Sequence, residues 1–512
     1  MEKILHGTYK SLEKYFGIVY LLFTGIVLIT SLSSLSTFPA LFIDESWNSN
    51  AAWNYINTKT LSDPISYANF GQEYINRWPF IGLLPYVVSF KLWGLGLWQG
   101  RLASWLIGVV LLIVVFLFSK KFFSYATGAL AVLLLSVSWI FLQSSHYIRP
   151  DITLALFVWL ALFTYLLGNI HKKKWFFLIS GLMIGFTLDI HPNGLLFAIS
   201  LSFVHLLIYR RRVFREPVTY YFIAGALIAA AYYFGLRYHF DFRNSLQISP
   251  LDVKILPSPL FTLNPYQIIK GFYGEFGRYN FYNHTLDFVL IGASLAYIFI
   301  RWREIDRIIL FFLTSSLILF ALLSPNKHNI YAILFYPFFT LFIAESFIDI
   351  MREKKIFSPE GLFWGTALIL ILISFAIQYF RPIWTSRDYN YYTTAQSLQG
   401  VIPERAKVIG MPNWWLGLSA TNFRSILDIT HLHIIDGISL TEALRRLGPE
   451  YIIVDPAVRG LLVDQGYFAL GSFDAYLFPR QEFVTYLDQN AMKILEYHAL
   501  GDGLIEVYKI NQ

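Results

Sequence analysis

A chain of 512 residues that is 56% hydrophobic and only 14% charged is not a soluble globular protein, whose charged share is about 25%. Its net charge of +7 does not describe a nucleic-acid binder, because the charge is not pooled in one patch and the basic excess belongs entirely to the apolar part of the chain: residues 1–380 hold 29 Lys and Arg against 19 Asp and Glu, and 381–512 hold 11 against 14. The absence of cysteine rules out disulfides and thiolate metal sites.

The first apolar run, Tyr15–Leu35, is long enough to cross a bilayer and lacks a small-residue cleavage pattern, so it reads as a retained anchor. Lys3, Lys10 and Lys14 precede it, and no Lys or Arg follows until Lys59. The positive-inside bias then puts the amino terminus in the cytosol and the acidic pair Asp44-Glu45, in "FPALFIDESWNSN", on the far side. Ten further spans follow: Leu102–Phe118, Tyr125–Phe141, Ile152–Leu167, Trp175–Leu188, Leu195–Tyr209, Val218–Leu236, Leu286–Ile300, Ile308–Leu323, Ile330–Ala344 and Leu362–Phe380.

The apolar run Pro79–Leu95 decides the parity of everything after it. If it lies on the surface, the inside loops collect Lys120-Lys121, Lys172–Lys174, Arg210–Arg212 with Arg215, Arg301/Arg303/Arg307, and Arg352/Lys354/Lys355. If it crosses, all of these move outside, against the rule. The run is therefore expected to be an interfacial helix, with Trp78, Trp93 and Trp98 as headgroup-level anchors. The expected architecture is an all-α bundle of about eleven spans, residues 1–380, followed by a small extracytoplasmic α/β domain, 381–512. In that domain "AKVIGM" and "YIIVDP" read as strands and "LTEALRRLG" as a helix closed by Gly448. The membrane expected is the plasma (inner) membrane.

With this topology the outer edge collects Asp44, Glu45, Asp63, Glu73, Arg77, Arg101, His146, Arg149, Asp151, Asp189, His191, Asn193, Lys327 and His328. A charged residue within a span costs about 2.5–3.5 kcal/mol on insertion scales, which makes each a functional candidate. Arg77, Arg101, Arg149 and Lys327 suit a phosphate, and a carboxylate suits proton removal from an attacking hydroxyl. Against this stands headgroup snorkelling, the reading favoured for Lys91 and an even alternative for Arg149. His431-x-His433, read as a strand or loop pair without a third ligand, points to structure more than to metal. Trp414 and Trp415 in "NWWLGL" are expected to pack.

The ordered elements resemble a known group. They are Asp44-Glu45 after the first span, "RWPF" with Arg77 and Pro79, "FKLWG", "RLASWLIG" with Arg101, "SSHYIRPDITLALF", "HPNGLL" and "NKHNIYAILFYPFFTLF". Together they resemble the membrane-embedded GT-C glycosyltransferases, specifically the protein O-mannosyltransferases and the lipid A aminoarabinose transferase. The resemblance implies transfer of one sugar from a polyprenyl-phosphate carrier, with inversion, to a protein, lipid or glycan acceptor on the outer face. It assigns catalysis to Asp44, with Glu45 in support. It maps the phosphate-binding basic residues to Arg77 and Arg101, with Lys327 a weaker carry-over; His146, Arg149, Asp151, His191 and His328 are candidate carrier phosphate or sugar contacts by their place on the outer edge. The chain has Arg-Trp-Pro where many relatives have Lys-Pro-Pro, and His146 where some carry Arg. A divalent metal bridging Asp44 and the phosphate is compatible with the sequence but not required by it.

Three other readings stay open. A transporter or flippase of lipid-linked sugars would show two related halves, which the sequence lacks. A glycan ligase or oligosaccharide transferase of the Trp-Trp-Asp type would need Asp where Leu416 stands. A catalytically inactive scaffold is the third.

Overall fold

A computed structural model describes residues 2–65, 80–239, 265–279, 303–324, 329–353, 359–435, 437–462, 478–499 and 502–511, with short helical pieces at 291–292 and 294–299. Arg77, Trp78, Glu73, Lys327, His328, Arg301, Lys354 and Lys355 lie outside the described residues.

The chain opens with α1 (Glu2–Ser33), whose Leu22, Phe23, Ile26 and Ile29 are exposed along one flank as a lipid-facing helix requires. A short polar helix, α2 (Ile43–Thr58), and α3 (Phe80–Trp93) precede the long α4 (Leu97–Phe122). A meander follows: α5 (Tyr125–Ser136), α6 (Trp139–His146), α7 (Asp151–His171), α8 (Lys174–Ile190), α9 (Gly194–Tyr209) and α10 (Pro217–His239). After α11 (Pro265–Tyr279) come α12 (Glu304–Leu323), α13 (Tyr336–Glu353) and α14 (Pro359–Thr385).

Among the described residues seven helices are long and apolar enough to cross a membrane, or eight if α5 and α6, bent by 67°, count as one span. The difference from eleven has local causes. The expected span Tyr125–Phe141 breaks where Ser138 caps α6 by accepting from Phe141 N at 3.2 Å. α8 has only 17 residues. The expected span Ile330–Ala344 starts as a 3-10 helix, Asn329–Leu334, and continues as α13, which carries Glu345 and Asp349. Leu286–Ile300 falls mostly outside the described residues. α3 has 14 residues, about 21 Å at 1.5 Å per residue, against a hydrocarbon core of about 30 Å. It is too short to cross, and its Trp93 is exposed.

The closest helix pairing is α8 on α10. A Cβ at Gly181 would lie 2.0 Å from Phe222 O, and one at Gly225 2.0 Å from Leu178 O. Gly181-x3-Gly185 against Gly225-x3-Ala229 is a small-residue seam that lets two backbones touch, the usual source of helix association where lipid removes the hydrophobic drive.

Beyond α14 the chain forms α15 (Tyr391–Gln399), α16 (Leu427–Ile435), α17 (Leu440–Leu447), α18 (Pro456–Leu462) and α19 (Arg480–Asn490) around a five-stranded sheet. Its strands are β1 (Lys407–Gly410), β2 (Asn422–Ser425), β3 (Tyr451–Val454), β4 (Ala491–Ala499) and β5 (Gly503–Ile510), in the order β2-β1-β3-β5-β4. β1 pairs in parallel with β2 and β3, while β5 is antiparallel to β3 and β4. α17 begins at Ser439, which accepts from Glu442 N, and stops at Gly448 with φ 56°. His431 and His433 fall in α16, not on a strand or loop. His433 Nδ1 lies 2.8 Å from Ile438 O.

Two apolar cores result. One fills the bundle from Val27 to Tyr379. The other joins the sheet domain to the outer helices: Ala51, Ala52, Leu83, Tyr86, Phe90 and Leu97 share it with Trp414, Ile429 and Ile452. The outer edge of β2 is covered by the α2–α3 connection, where Ser425 N donates to Ile65 O at 2.8 Å and Arg424 Nη1 to Pro64 O at 2.6 Å.

Gly181→Leu should lower the thermal-unfolding midpoint in detergent markedly, because the added side chain must part α8 and α10. Gly235→Leu, where a Cβ meets nothing within 4 Å, should leave it near the parent value. Equal behaviour of the two variants in differential scanning fluorimetry would refute the seam.

Candidate active site

The site gathers at one end of the bundle, where α2, α4 and α7 begin and α6 and α8 end. α2 starts there because Glu45 folds back on the preceding turn: Phe42 N donates to Glu45 Oε2 at 2.9 Å. Asp44 and Glu45 also sit in the first helical turn, where carboxylates are favoured by the helix dipole.

Glu45 does not reach an open cavity. Arg101 Nε donates to its Oε1 at 2.9 Å and Arg101 Nη2 to its Oε2 at 2.8 Å, and both side chains are wholly buried. Ile148 N adds a bond to Oε1 at 3.2 Å, and Arg101 Nη1 donates to Leu35 O at 3.0 Å. The carboxylate thus accepts four hydrogen bonds, and all three guanidinium nitrogens are engaged. This geometry ties α1, α2, α4 and the α6–α7 turn together; it presents neither group to a ligand.

Asp44 is placed otherwise. It is one residue on from Ile43 and about 100° around the helix from Glu45, and it pairs with Arg149 on the α6–α7 turn. Its side chain is 27% exposed, against 0% for Glu45 and 1% for Asp151. Arg149 Nε also donates to Asp151 Oδ2 at 2.7 Å, and its guanidinium lies 5.7 Å from the Phe42 ring and 5.9 Å from the Tyr331 ring. Burial works to lower the Arg149 pKa, but Asp151 and Tyr331 outweigh it and hold the pKa above its usual value. Arg149 is therefore a permanent cation shared by two carboxylates.

The turn that carries Arg149 is pinned from below. Tyr86 Oη donates to Arg149 O at 2.6 Å and Ser104 Oγ to Tyr147 O at 2.6 Å. Asn48, one turn along α2 and buried, donates Nδ2 to Asp44 O at 2.7 Å. His191 sets its ring edge on Tyr331, with centroids 5.4 Å apart. Its Nδ1 accepts from Asn193 N at 3.1 Å. Burial, aided by Arg149, pushes the His191 pKa down to about 4 against a raising pull from Asp151, so the ring is neutral at neutral pH.

The structure therefore brings Asp44, Arg149, Asp151 and His191 together with Tyr331. It puts His146 elsewhere: fully buried against Phe38, with Nε2 3.1 Å from Ser31 O and 3.2 Å from Ser34 Oγ at the end of α1. Asp189 accepts from Ile81 N at 3.0 Å and so holds the first turn of α3. Lys91 is exposed. Arg77, Lys327 and His328 are outside the described residues, among which no group of three or more His, Asp or Glu is arranged to hold a metal ion. Tyr86, Asn48 and Tyr331 were not singled out from sequence. Asn48 stands four residues after Asp44, the spacing that shares a helix face. Tyr331 lies within the "NKHNIYAIL" stretch, but nothing in either neighbourhood marks a partner for Arg149.

Residues 79–234 match the family described as dolichyl-phosphate-mannose-protein mannosyltransferase. Among solved structures, ArnT from Cupriavidus metallidurans in the apo state superimposes with a TM-score of 0.60 at 12% identity, over 95% of this chain and 97% of that one. ArnT from the same organism bound to undecaprenyl phosphate matches with a TM-score of 0.60 at 13% identity, over the same shares of the two chains. AglB, the archaeal oligosaccharyltransferase from Archaeoglobus fulgidus, in complex with an inhibitory peptide and a dolichol-phosphate, gives 0.56 at 15% identity over 96% and 74%. The fold is that of the GT-C membrane glycosyltransferases. No curated protein matches the chain by sequence.

Removing one partner of the buried pair should leave an uncompensated charge, a loss of about 3–5 kcal/mol. Glu45→Gln and Arg101→Met should each lower the melting midpoint and yield in detergent, and the double variant should lose less than the sum of the two. Unchanged stability together with lost affinity for undecaprenyl phosphate in Arg101→Met would return Arg101 to the phosphate site.

Proposed function

We propose that the chain is an integral-membrane glycosyltransferase that moves a single sugar from a polyprenyl-phosphate carrier to an acceptor on the outer face, with inversion at the anomeric carbon. The supporting observation is the division of labour inside one acidic pair. Glu45 is consumed by Arg101, while Asp44 keeps an exposed carboxylate edge and an ionising partner in Arg149.

In this scheme the acceptor hydroxyl gives its proton to Asp44 as its oxygen bonds to the anomeric carbon. The bond from that carbon to the carrier phosphate breaks, and polyprenyl phosphate leaves. Arg149 keeps Asp44 ionised and oriented. Because Arg149 is already shared with Asp151, most of the cationic help for the leaving phosphate falls to other groups, for which Arg77 and Lys327 remain the sequence candidates. Preorganised cations in a partly dry site are well suited to developing charge of this kind. Arg101, Glu45 and His146 act as supports of the site.

The organisation proposed is a transferase module over residues 1–380 and an outer domain over 381–512 that positions the acceptor or caps the site, within about eleven spans of a plasma membrane. The orientation is supported by the ends of the helices. Lys120-Lys121, Lys172–Lys174 and Arg210–Arg212 all fall at the helix ends opposite Asp44 and Arg149, as the positive-inside bias requires of an outward-facing site. Single-sugar transfer is preferred over oligosaccharide transfer of the Trp-Trp-Asp type because Leu416 stands where that motif carries Asp.

Asp44→Asn preserves shape and removes the proton acceptor. With a polyprenyl-phosphate sugar and acceptor in nanodiscs, turnover should fall by about 10²- to 10⁴-fold, while undecaprenyl phosphate binding persists. Near-parental turnover would show that Asp44 is not the base. The orientation has its own test, made clean by the absence of native cysteine. In intact cells a cysteine at Lys173 should resist an impermeant thiol reagent and one at Gln396 should react; the reverse pattern would overturn the topology.

A further inference from the structure

The outer domain meets the site through one short polar path. Tyr389, just before α15, is buried and accepts a hydrogen bond on its Oη from Leu41 N at 3.2 Å. Leu41 is three residues before Asp44 and adjoins Phe42, whose amide is held by Glu45. On its other side the Tyr389 hydroxyl interacts electrostatically with Asp502, in the β4–β5 turn. Asp502 Oδ2 is buried without a hydrogen-bond partner among the described residues.

Asp502 faces a second buried carboxylate. Asp455 follows β3, is 2% exposed, and accepts from Trp414 Nε1 at 2.9 Å and from Val458 N at 2.8 Å. Trp414 belongs to the turn Pro412–Trp414 that packs on α2 and stacks on Tyr391, with ring centroids 6.0 Å apart. The Tyr391 hydroxyl donates to Asn413 O at 2.9 Å and accepts from Gly417 N at 2.8 Å. The titratable groups around Asp502 are thus Asp455, Tyr389 and Tyr391, and beyond Tyr389 the pair Arg101 and Glu45. Of these groups it is the buried phenol of Tyr389 that meets the backbone leading into α2.

We propose that Tyr389 and Asp502 are positioning residues through which the outer domain holds the Leu41–Phe42 backbone and thereby aims Asp44 at Arg149. The assignment rests on Asp44 as the reacting group for its functional meaning, but the hold on Leu41 does not. Burial first, then Asp455, raise the Asp502 pKa to about 7, against the neighbouring hydroxyls of Tyr389 and Thr394, which pull it down. The sign follows from proton counting. Between the ordinary Asp value of about 3.9 and about 7 the folded junction binds a proton that the opened one releases. Closure is therefore favoured on the acid side, and this contribution is lost as pH rises towards about 7, with no further loss above.

Hydrogen–deuterium exchange on the full chain in detergent, corrected for intrinsic rates and run from about pH 5.5 to about pH 8.5, tests both parts. In the parent, peptides covering residues 39–45 should lose protection as pH approaches about 7 and then level off. Asp502→Asn, which keeps the shape of the neutral acid, should stay protected and lose the trend. Tyr389→Phe should raise exchange in these peptides roughly two- to tenfold at every pH, the scale of one lost hydrogen bond, with the α8–α10 peptides unchanged as evidence of folding. An unchanged 39–45 segment in Tyr389→Phe, or a parental pH trend in Asp502→Asn, overturns the proposal. Should Asp502→Asn fail to fold, Tyr389→Phe decides alone. Deprotection of 39–45 in Tyr389→Phe, with full turnover in Asp44→Asn, would leave the hold standing and remove only the reading of Asp44 as base.

Discussion

The buried pair of Glu45 with Arg101 is the constraint from which the site geometry follows. A carboxylate with four donors and a guanidinium with every nitrogen used can be desolvated without orphaned charge, which is the condition for keeping such a pair inside protein. Its donors and acceptors come from the exit of α1, the start of α2, the start of α4 and the α6–α7 turn. Three stretches of chain, around residues 35–45, 101 and 148, are thereby joined by directional bonds, so the pair supplies a register that packing alone would not. Since α2 is a helix, fixing Glu45 also fixes the direction in which its neighbour Asp44 leaves the backbone. Two adjacent acids are thereby sorted into a structural group and an exposed one.

The opposite end of the bundle follows the same rule with different residues. Arg303 donates to Asp306 Oδ2 at 2.7 Å and to Glu345 Oε1 at 2.6 Å, and Glu345 Oε2 accepts from Thr127 at 3.0 Å. There too a single Arg answers two carboxylates at the junction of three helices. At the site end Arg149 does this with Asp44 and Asp151, but the arrangement is left open on the Asp44 side. The exposed member differs: it is the guanidinium of Arg303 in the one network and the carboxylate of Asp44 in the other, and only the second offers a base.

This explains what could be read from sequence. Apolar runs and the alternation of basic loops locate α4, α7, α9, α10 and α12, because lipid imposes length and charge rules on every span. The shortness of α3 and the basic clusters agree on its not crossing. Strands β1 and β3 and helix α17 carried ordinary local signals, down to Gly448. What stayed hidden depends on pairing across long separations. Arg101 reads as a phosphate ligand until Glu45, 56 residues away, is seen to fill it; His146 reads as outward until Ser31 and Ser34 enclose it. Asp455, which follows the strand-like "YIIVDP" and would pass for an exposed acid, is buried under Trp414. Local sequence states which groups are costly to bury but not which partners make burial affordable.

The carboxy-terminal domain then has a physical place in the fold. Its core is continuous with α2, α3 and the start of α4, so apolar burial crosses the line at which sequence composition changes. Helix α2 is itself a poor candidate for independent folding: Ser46, Asn48, Ser49 and Asn50 are all buried along it, and a helix with so little apolar face cannot hold itself against a bundle. It is kept in place by what surrounds it, with Arg101 and Tyr86 of the membrane half on one side and the Trp414 turn on the other. An acid mounted on such a helix is positioned by both halves at once. That gives the carboxy-terminal domain, in which the described residues show no acid–base set of their own, a structural part in the site: it contributes the second wall of the mount on which Asp44 stands.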